Sequence, residues 1–420
     1  MSKIKTKIKE IKAREVINSS GQATLELEIV SDNGKSAKTA YPFDNFSTSF
    51  SSETSKDDDK SRYGGQGCLS LIEQVNNVLA PKVKGQELSQ KDLDQVLEEI
   101  KLENDRSLDI AVKYCFSISC AKLSADLEQI DLFQYIVKTY KLKKPSSKKP
   151  VVPIFNIFNG GDTGDTDLDF QEFLLIPKKE DASEMIRKGS EVFLELAKVL
   201  KEAGHDTDTG QEGGYAPDMD SSIEAIEFIL SAIIRAGYSP DKDFKLGIDI
   251  GSSILYDKDA GKYVFSLDKS YFSALDLESL YQEWLSKYPI TYLEDIFNEN
   301  DWDSWKKIND SLGDKLQIVA DDLLSSNTNR LRESLNKNAF NTVILKPAKL
   351  STLTKIVEYA NIAQEYDYKL IVSGLNQELS DSHITDIAVA LGADNLKAGS
   401  LSRGERVIKY NRLIEIQDKL

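Results

Sequence analysis

Histidine is nearly missing from this chain: His205 and His383 are the only two in 420 residues, which all but excludes a histidine-built metal centre or a two-histidine acid–base pair. Cysteine is scarce as well. Cys68, Cys115 and Cys120 form an odd set without zinc-site spacing, which fits reduced thiols better than a disulfide framework. Long apolar runs are lacking: no stretch approaches the about 20 residues needed to cross a bilayer. The N-terminus, MSKIKTKIKEIK, alternates Lys with Ile and has neither the apolar centre nor the cleavage site of an export signal. The expectation is a cytoplasmic protein with no membrane association. Positive charge is in deficit, 53 Lys and Arg against 69 Asp and Glu, and the net charge of −16 opposes nucleic acid and anionic lipid as partners.

What is present is an ordinary globular composition, 40% hydrophobic and 29% charged, able to bury a substantial core. A length of 420 residues favours about two or three domains, or one α/β barrel with an added module. Residues 8–43 read as strands: Ala23 to Val30 alternates at period two, and Asp32-Asn33-Gly34 supplies hairpin chemistry, so an antiparallel meander opens the chain. Residues 44–67 are rich in Ser, Asp and Gly and predict an exposed, mobile loop suited to a lid. Leu71, Ile72, Val75, Val78 and Leu79, then Leu93, Val96, Leu97 and Ile100, fall at helical spacing. Helices therefore cover the sheet. Lys141 to Pro150 combines breakers with a run of lysines and reads as a linker between a domain at 1–140 and another at 151–420.

Beyond the linker, β-like runs recur at 245–250, 290–294, 316–320, 342–345, 370–373 and 395–397, most of them separated by the length of a βα unit. A barrel is the expected result. Several runs end in an ionisable residue: Asp249, Glu294, Asp321 and Lys346. In α/β barrels such ends converge on one mouth, and carboxylates beside a lysine there would make a magnesium site next to a base. Each acid reads equally well as a helix cap; for Lys346 and Lys397 the alternative to a role at the mouth is a snorkelling surface residue, which their strand context disfavours.

The joint pattern resembles the enolase family in order and local context: GIDIGSS, YLEDIFNENDW, VADDL, ILK and LKAG. The resemblance implies an α/β fold, an enolase-type α/β barrel behind an N-terminal α+β capping domain of antiparallel meander plus helices. It implies Mg2+ held by Asp249, Glu294 and Asp321, with Ser47 reaching a second ion. Lys346 would be the base that removes the proton beside a substrate carboxylate, and Lys397 would hold that carboxylate. Glu212, in Gly210-Gln-Glu-Gly-Gly214, would be the acid that helps a hydroxyl leave, with Glu172 as its support. Ser373, Lys397 and Glu172 would contact the small-molecule carboxylate substrate.

The chain departs from the family's pattern at several loops. Ser20 stands where the N-terminal signature has an arginine, and Phe43 to Ser49 replaces the usual first lid. Gly161-Asp-Thr-Gly-Asp165 puts Thr163 in place of a lid histidine, and Gln211 replaces an aspartate before Glu212. Ser373-Gly-Leu-Asn-Gln-Glu378 removes both a histidine and a phosphate-gripping arginine, whose bidentate bonds Leu375 cannot imitate. Asp162, Asp165, Asp167 and Asp169 crowd a loop that reads as a solvated turn, or would repel phosphate if it faced the pocket. Of two cross-subunit ion pairs in the family's homodimer, Arg14 with Asp418 is kept and the other becomes Glu26 with Glu415, so the implied homodimer or higher homo-oligomer carries one repulsive contact. Three functions follow: dehydration of 2-phosphoglycerate to phosphoenolpyruvate, a superfamily lyase or isomerase acting on an unphosphorylated carboxylate, or an inactive binding or scaffold protein.

Overall fold

The computed structural model describes residues 6–43, 54–102, 105–267 and 269–420. The chain forms two compact units: Met1–Pro145 with Lys346–Asn361 and Gly374–Gly392, and Ser146–Leu345 with Ile362–Ser373 and Ala393–Leu420.

In the first unit, β1 (Ile8–Ile17), β2 (Ala23–Ser31) and β3 (Ser36–Ala40) form the expected antiparallel meander. Gly34 takes the positive φ of 86° that its turn requires. Ala23, Leu25, Leu27 and Ile29 alternate onto a fully buried face. The helix Ile110–Glu128 packs on β2 and β3 and is buried around most of its circumference, which is why it lacks a polar stripe. The part of the 44–67 segment that is described is tied down: Asp57 accepts from Leu69 N at 2.6 Å and Ser70 N at 2.9 Å, and Arg62 pairs with Glu15 at 2.5 Å. The remainder, with Ser47 and the lid reading of residues 44–53, lies outside the described residues.

The segment 374–383 is stitched into this same unit. Asn18 Nδ2 donates to Gln377 Oε1 at 2.8 Å, Ser19 N to Glu378 O at 3.1 Å and Gln377 N to Phe43 O at 3.1 Å. His383 lies 2.5 Å from the buried Tyr114 hydroxyl and 2.7 Å from Asp381.

The second unit contains a closed barrel. Its strands are β4 (Val152–Asn159), β5 (Glu172–Pro177), β6 (Phe244–Asp249), β10 (Ile290–Glu294), β11 (Gln317–Ala320), β12 (Thr342–Leu345), β13 (Lys369–Ser373) and β14 (Asn395–Lys397). A small antiparallel sheet, β7 (Tyr256–Asp257), β8 (Lys262–Phe265) and β9 (Ser270–Phe272), lies between β6 and β10 in sequence. Barrel strands are covered on both faces, so they read as continuous apolar runs, and β4 and β5 are buried at every residue. Val152, Ile154, Leu174, Ile176, Tyr292, Val319, Ile344 and Ile371 form one buried cluster with Met185.

One strand runs backwards. β5 is antiparallel to both β4 and β6, whereas the other neighbouring barrel strands are parallel. Its first residue therefore lies level with the last residues of the others. Glu172 pairs with Asn159 on one side and Asp249 on the other, and Asp249 pairs with Glu294. Ser373 and Lys397, the final residues of β13 and β14, are likewise in register. Among the described residues no helix is long and apolar enough to cross a membrane.

Candidate metal and proton-transfer site

Register brings the charged strand ends to one rim, and Lys397 joins them. Its ammonium lies 2.7 Å from Glu172 Oε2, 3.1 Å from Asp249 Oδ2 and 2.7 Å from Glu294 Oε2. Lys397 is only 6% exposed, so it does not snorkel. Burial alone would lower its pKa, but the charges of Glu172, Glu294 and Asp249 raise it well above the ordinary lysine value. The side chain stays an ammonium.

Neighbouring polar groups fix these carboxylates. Alternation puts Tyr292 on the same face of β10 as Glu294, and its hydroxyl donates to Glu294 Oε2. Asn156, fully buried on β4, donates from Nδ2 to Glu172 Oε1 at 2.8 Å. Burial, followed by the charge of Glu294, pushes the Asp249 carboxyl well above the usual range.

Glu212 is placed by a knotted turn. Gly214 N donates to Asn159 Oδ1 at 2.9 Å, Gln211 N to Thr163 O at 3.0 Å and Ser400 N to Glu212 O at 2.8 Å. Gly213 sits at φ 89°, where a Cβ would come 2.7 Å from Ser402 Oγ. The turn therefore needs glycine there. The Glu212 side chain is buried, and that burial, with the nearby charge of Glu172, pushes its carboxyl up to about 7 against the pull of Arg406 and Lys397.

Asp249 and Glu294 share oxygens within 4.8 Å of one another with Asp295, and Asp321 does so with Asp295 and Asp322. Asp295 thus belongs to both groups. Sequence alone does not single it out, although its doubling with Glu294, like that of Asp321 with Asp322, is visible there. Its backbone has φ 46°, uncommon for a residue with a side chain, and its carboxylate accepts from Asp321 N at 3.2 Å and Asp322 N at 2.9 Å. It fastens the end of β10 to the end of β11. Burial and the charges of Asp322 and Asp321 raise its pKa well above normal.

Lys346 directly follows β12 with extended backbone, φ −99° and ψ 102°, so alternation assigns it to the face of Ile344. Ser373 ends β13 and is buried. The loop departures are structural in character. Thr163 is buried, accepts from Asn159 Nδ2 at 3.0 Å and lies 2.8 Å from Gly160 O and 2.9 Å from Gln171 O. Asp169 caps Ser266 N at 2.7 Å and Leu267 N at 3.1 Å, and Asp167 accepts from Met219 N at 2.9 Å. Asp162 and Asp165 are exposed, as a solvated turn requires. Leu375, in the first unit, is 2% exposed.

The donor set suits a hard divalent cation. It offers carboxylate oxygens only, and Asp249 Oδ1 is buried with no hydrogen-bond partner among the described residues. Carboxylates driven towards protonation by one another are those that a cation relieves. Residues 148–420 match the family model described as the enolase C-terminal TIM barrel domain, and residues 8–136 match that described as the enolase N-terminal domain.

Proposed function

The chain belongs to the enolase family, and on that premise we propose that it is a magnesium-dependent lyase that removes water from 2-phosphoglycerate to give phosphoenolpyruvate. The observation that carries this reading is the rim itself, where a buried ammonium is held by three carboxylates beside a fourth, Glu212, that keeps its proton to about pH 7. Asp249, Glu294 and Asp321 would hold Mg2+, with Asp295 linking the two groups of acids and Ser47 serving a second ion. Bound Mg2+ supplies Lewis-acid stabilisation of the second negative charge that a carboxylate acquires when its α-proton leaves. Lys346 takes that proton. Lys397 holds the substrate carboxylate, with Ser373 as a further contact. Glu212 gives its proton to the departing hydroxyl, and Glu172, fixed by Asn156, positions substrate beside it. Purified protein with Mg2+ should generate ultraviolet-absorbing phosphoenolpyruvate from 2-phosphoglycerate. No product at high protein concentration would eliminate this substrate.

Leu375 favours a second reading. An apolar side chain that is 2% exposed stands where the family carries its phosphate-gripping arginine, and it offers an anion nothing. The same proton-transfer groups would then act on an unphosphorylated acid, detected as Mg2+-dependent exchange of its α-proton with deuterated solvent. A panel of such acids without exchange would count against it.

The proposal places the protein in the cytoplasm as a homodimer or higher homo-oligomer. Glu26 pairs within its own chain with Arg14 at 2.9 Å and Lys38 at 2.9 Å, and Glu415 lies 3.1 Å from Arg412, so Arg14, which the family resemblance pairs with Asp418 across subunits, is engaged by its own chain. Each of the two like charges is balanced locally.

A further inference from the structure

Arg406 is out of place in its own helix. It lies in the first turn of Gly404–Gln417, where the positive end of the peptide dipoles opposes a cation, and it is fully buried although a guanidinium cannot shed its charge. A residue that breaks two local rules has its reason outside the helix. Gly399, at φ 89°, indicates where that reason lies. Arg406 Cδ comes within 2.6 Å, and Glu212 O within 2.9 Å, of the point that a Cβ on Gly399 would occupy. Glycine there leaves room for the arginine stem beside the Glu212 turn. The same corner is fastened on both sides: Ser400 N donates to Glu212 O at 2.8 Å, and the Tyr410 hydroxyl, one helical turn on from Arg406, lies 2.6 Å from Gly399 O and 3.1 Å from Ile154 O.

An acid that gives up its proton must also exist without it. Once the Glu212 O–H bond has broken and the proton has left with the departing hydroxyl as water, two buried carboxylates, Glu212 and Glu172, stand together until solvent supplies another proton. Glu172 from β5, Lys397 from β14, and Arg406 and Tyr410 from the helix Gly404–Gln417 all act on Glu212. Lys397 is shared with Glu172, Asp249 and Glu294. We infer that Arg406 is a positioning residue for the proposed proton donor: its buried guanidinium stabilises the carboxylate that Glu212 becomes after transfer, so that the acid can be reset at each turnover. Burial and Glu172 push Glu212 towards keeping its proton, and of the two cations that oppose them Arg406 acts more strongly than Lys397. The inference rests on the proposed role of Glu212, and its test needs no substrate, so the two can fail separately.

Infrared spectroscopy of the full chain at one fixed Mg2+ concentration reads the neutral Glu212 carboxyl as the difference between a protein and its Glu212→Gln counterpart. In Arg406→Met this band should persist to a pH about 1–3 units higher than in the wild type. Arg406→Lys, which restores a cation, should bring the midpoint back towards the wild-type value. Equal midpoints in wild type and Arg406→Met overturn the inference. A midpoint in Arg406→Lys as high as in Arg406→Met assigns the effect to packing instead of charge, and overturns it as well. Should neither variant fold, magnetic resonance of arginine-labelled wild type decides: the Arg406 Nε signal should titrate together with the Glu212 band and cease to do so in Glu212→Gln, and a signal indifferent to pH overturns the inference. Failure to form phosphoenolpyruvate removes the substrate proposed above and leaves each of these outcomes readable.

Discussion

Glu212 holds its proton against bulk pH because its turn buries it next to Glu172, and this has a signed consequence for stability. Its ordinary value is 4.5 and its folded value about 7, so between these the folded chain keeps a proton that the unfolded chain has lost. Stability should fall as pH rises through that window, by about 1.4 kcal/mol per unit at most, and level off above it. Glu212→Gln should make this slope shallower in denaturation curves collected from pH 4.5 to pH 8, leaving the share that Asp249 and Asp295 contribute. In catalysis the same substitution should remove the limb of the rate profile that declines as pH rises through about 7, with a rate loss of about 10² to 10⁴-fold. Lys346→Ala should cost about as much; solvent exchange at the substrate's α-carbon that survives this substitution would assign the base elsewhere. At this scale the charged strand ends were legible, because Asp249, Glu294 and Lys397 each close an apolar run. Asn156 and Tyr292 were not. An asparagine or tyrosine within a buried strand gives no one-dimensional sign of whether it faces a carboxylate, and that depends on pairings such as β4 with β5.

Two short elements carry the site's precision. At Gly213 a methyl group would meet Ser402 Oγ at 2.7 Å and Ser402 O at 2.9 Å, on a backbone at φ 89°. Gly213→Ala should therefore destabilise by about 1–3 kcal/mol in urea unfolding and displace Glu212, lowering turnover more than substrate affinity. Thr163 is the second. Thr163→Val keeps the shape but strips the hydroxyl from Asn159, Gly160 and Gln171, and should cost about 1–3 kcal/mol. A stability unchanged by this substitution would contradict a structural role for the hydroxyl. Strand positions were the clearest part of the sequence: β6 and β10 to β14 fall within a residue or so of the runs that announced them. β4 and β5 are not evident from the sequence. β4 contains Pro153, Asn156 and Asn159, which dilute its β signal, and β5 carries its acid at the first residue instead of the last. The rule that barrel strands end in chemistry does not apply to a strand that runs the other way.

The whole molecule should report the metal through its stability. Mg2+ at 100 times its dissociation constant should add about 2.7 kcal/mol to the folded state, seen as a higher melting temperature that a chelator reverses. Sedimentation should show a homodimer or larger assembly, and a monomer at micromolar concentration would exclude that part of the proposal. The order of segments was legible from the chain, but their allegiance was not. Lys346–Asn361 and Gly374–Gly392 lie within the barrel half by sequence yet cluster with the N-terminal unit, and residues such as Asn18, Gln377 and Phe43 reveal this only through pairing across more than 300 positions. The reversed course of β5 has an outcome of its own. A connection between antiparallel neighbours leaves and re-enters at the same end, so residues 160–171 form one excursion whose two attachment points, Asn159 and Glu172, face each other in the ladder. Remodelling that single excursion could retune what enters the mouth while every βα unit downstream keeps its register.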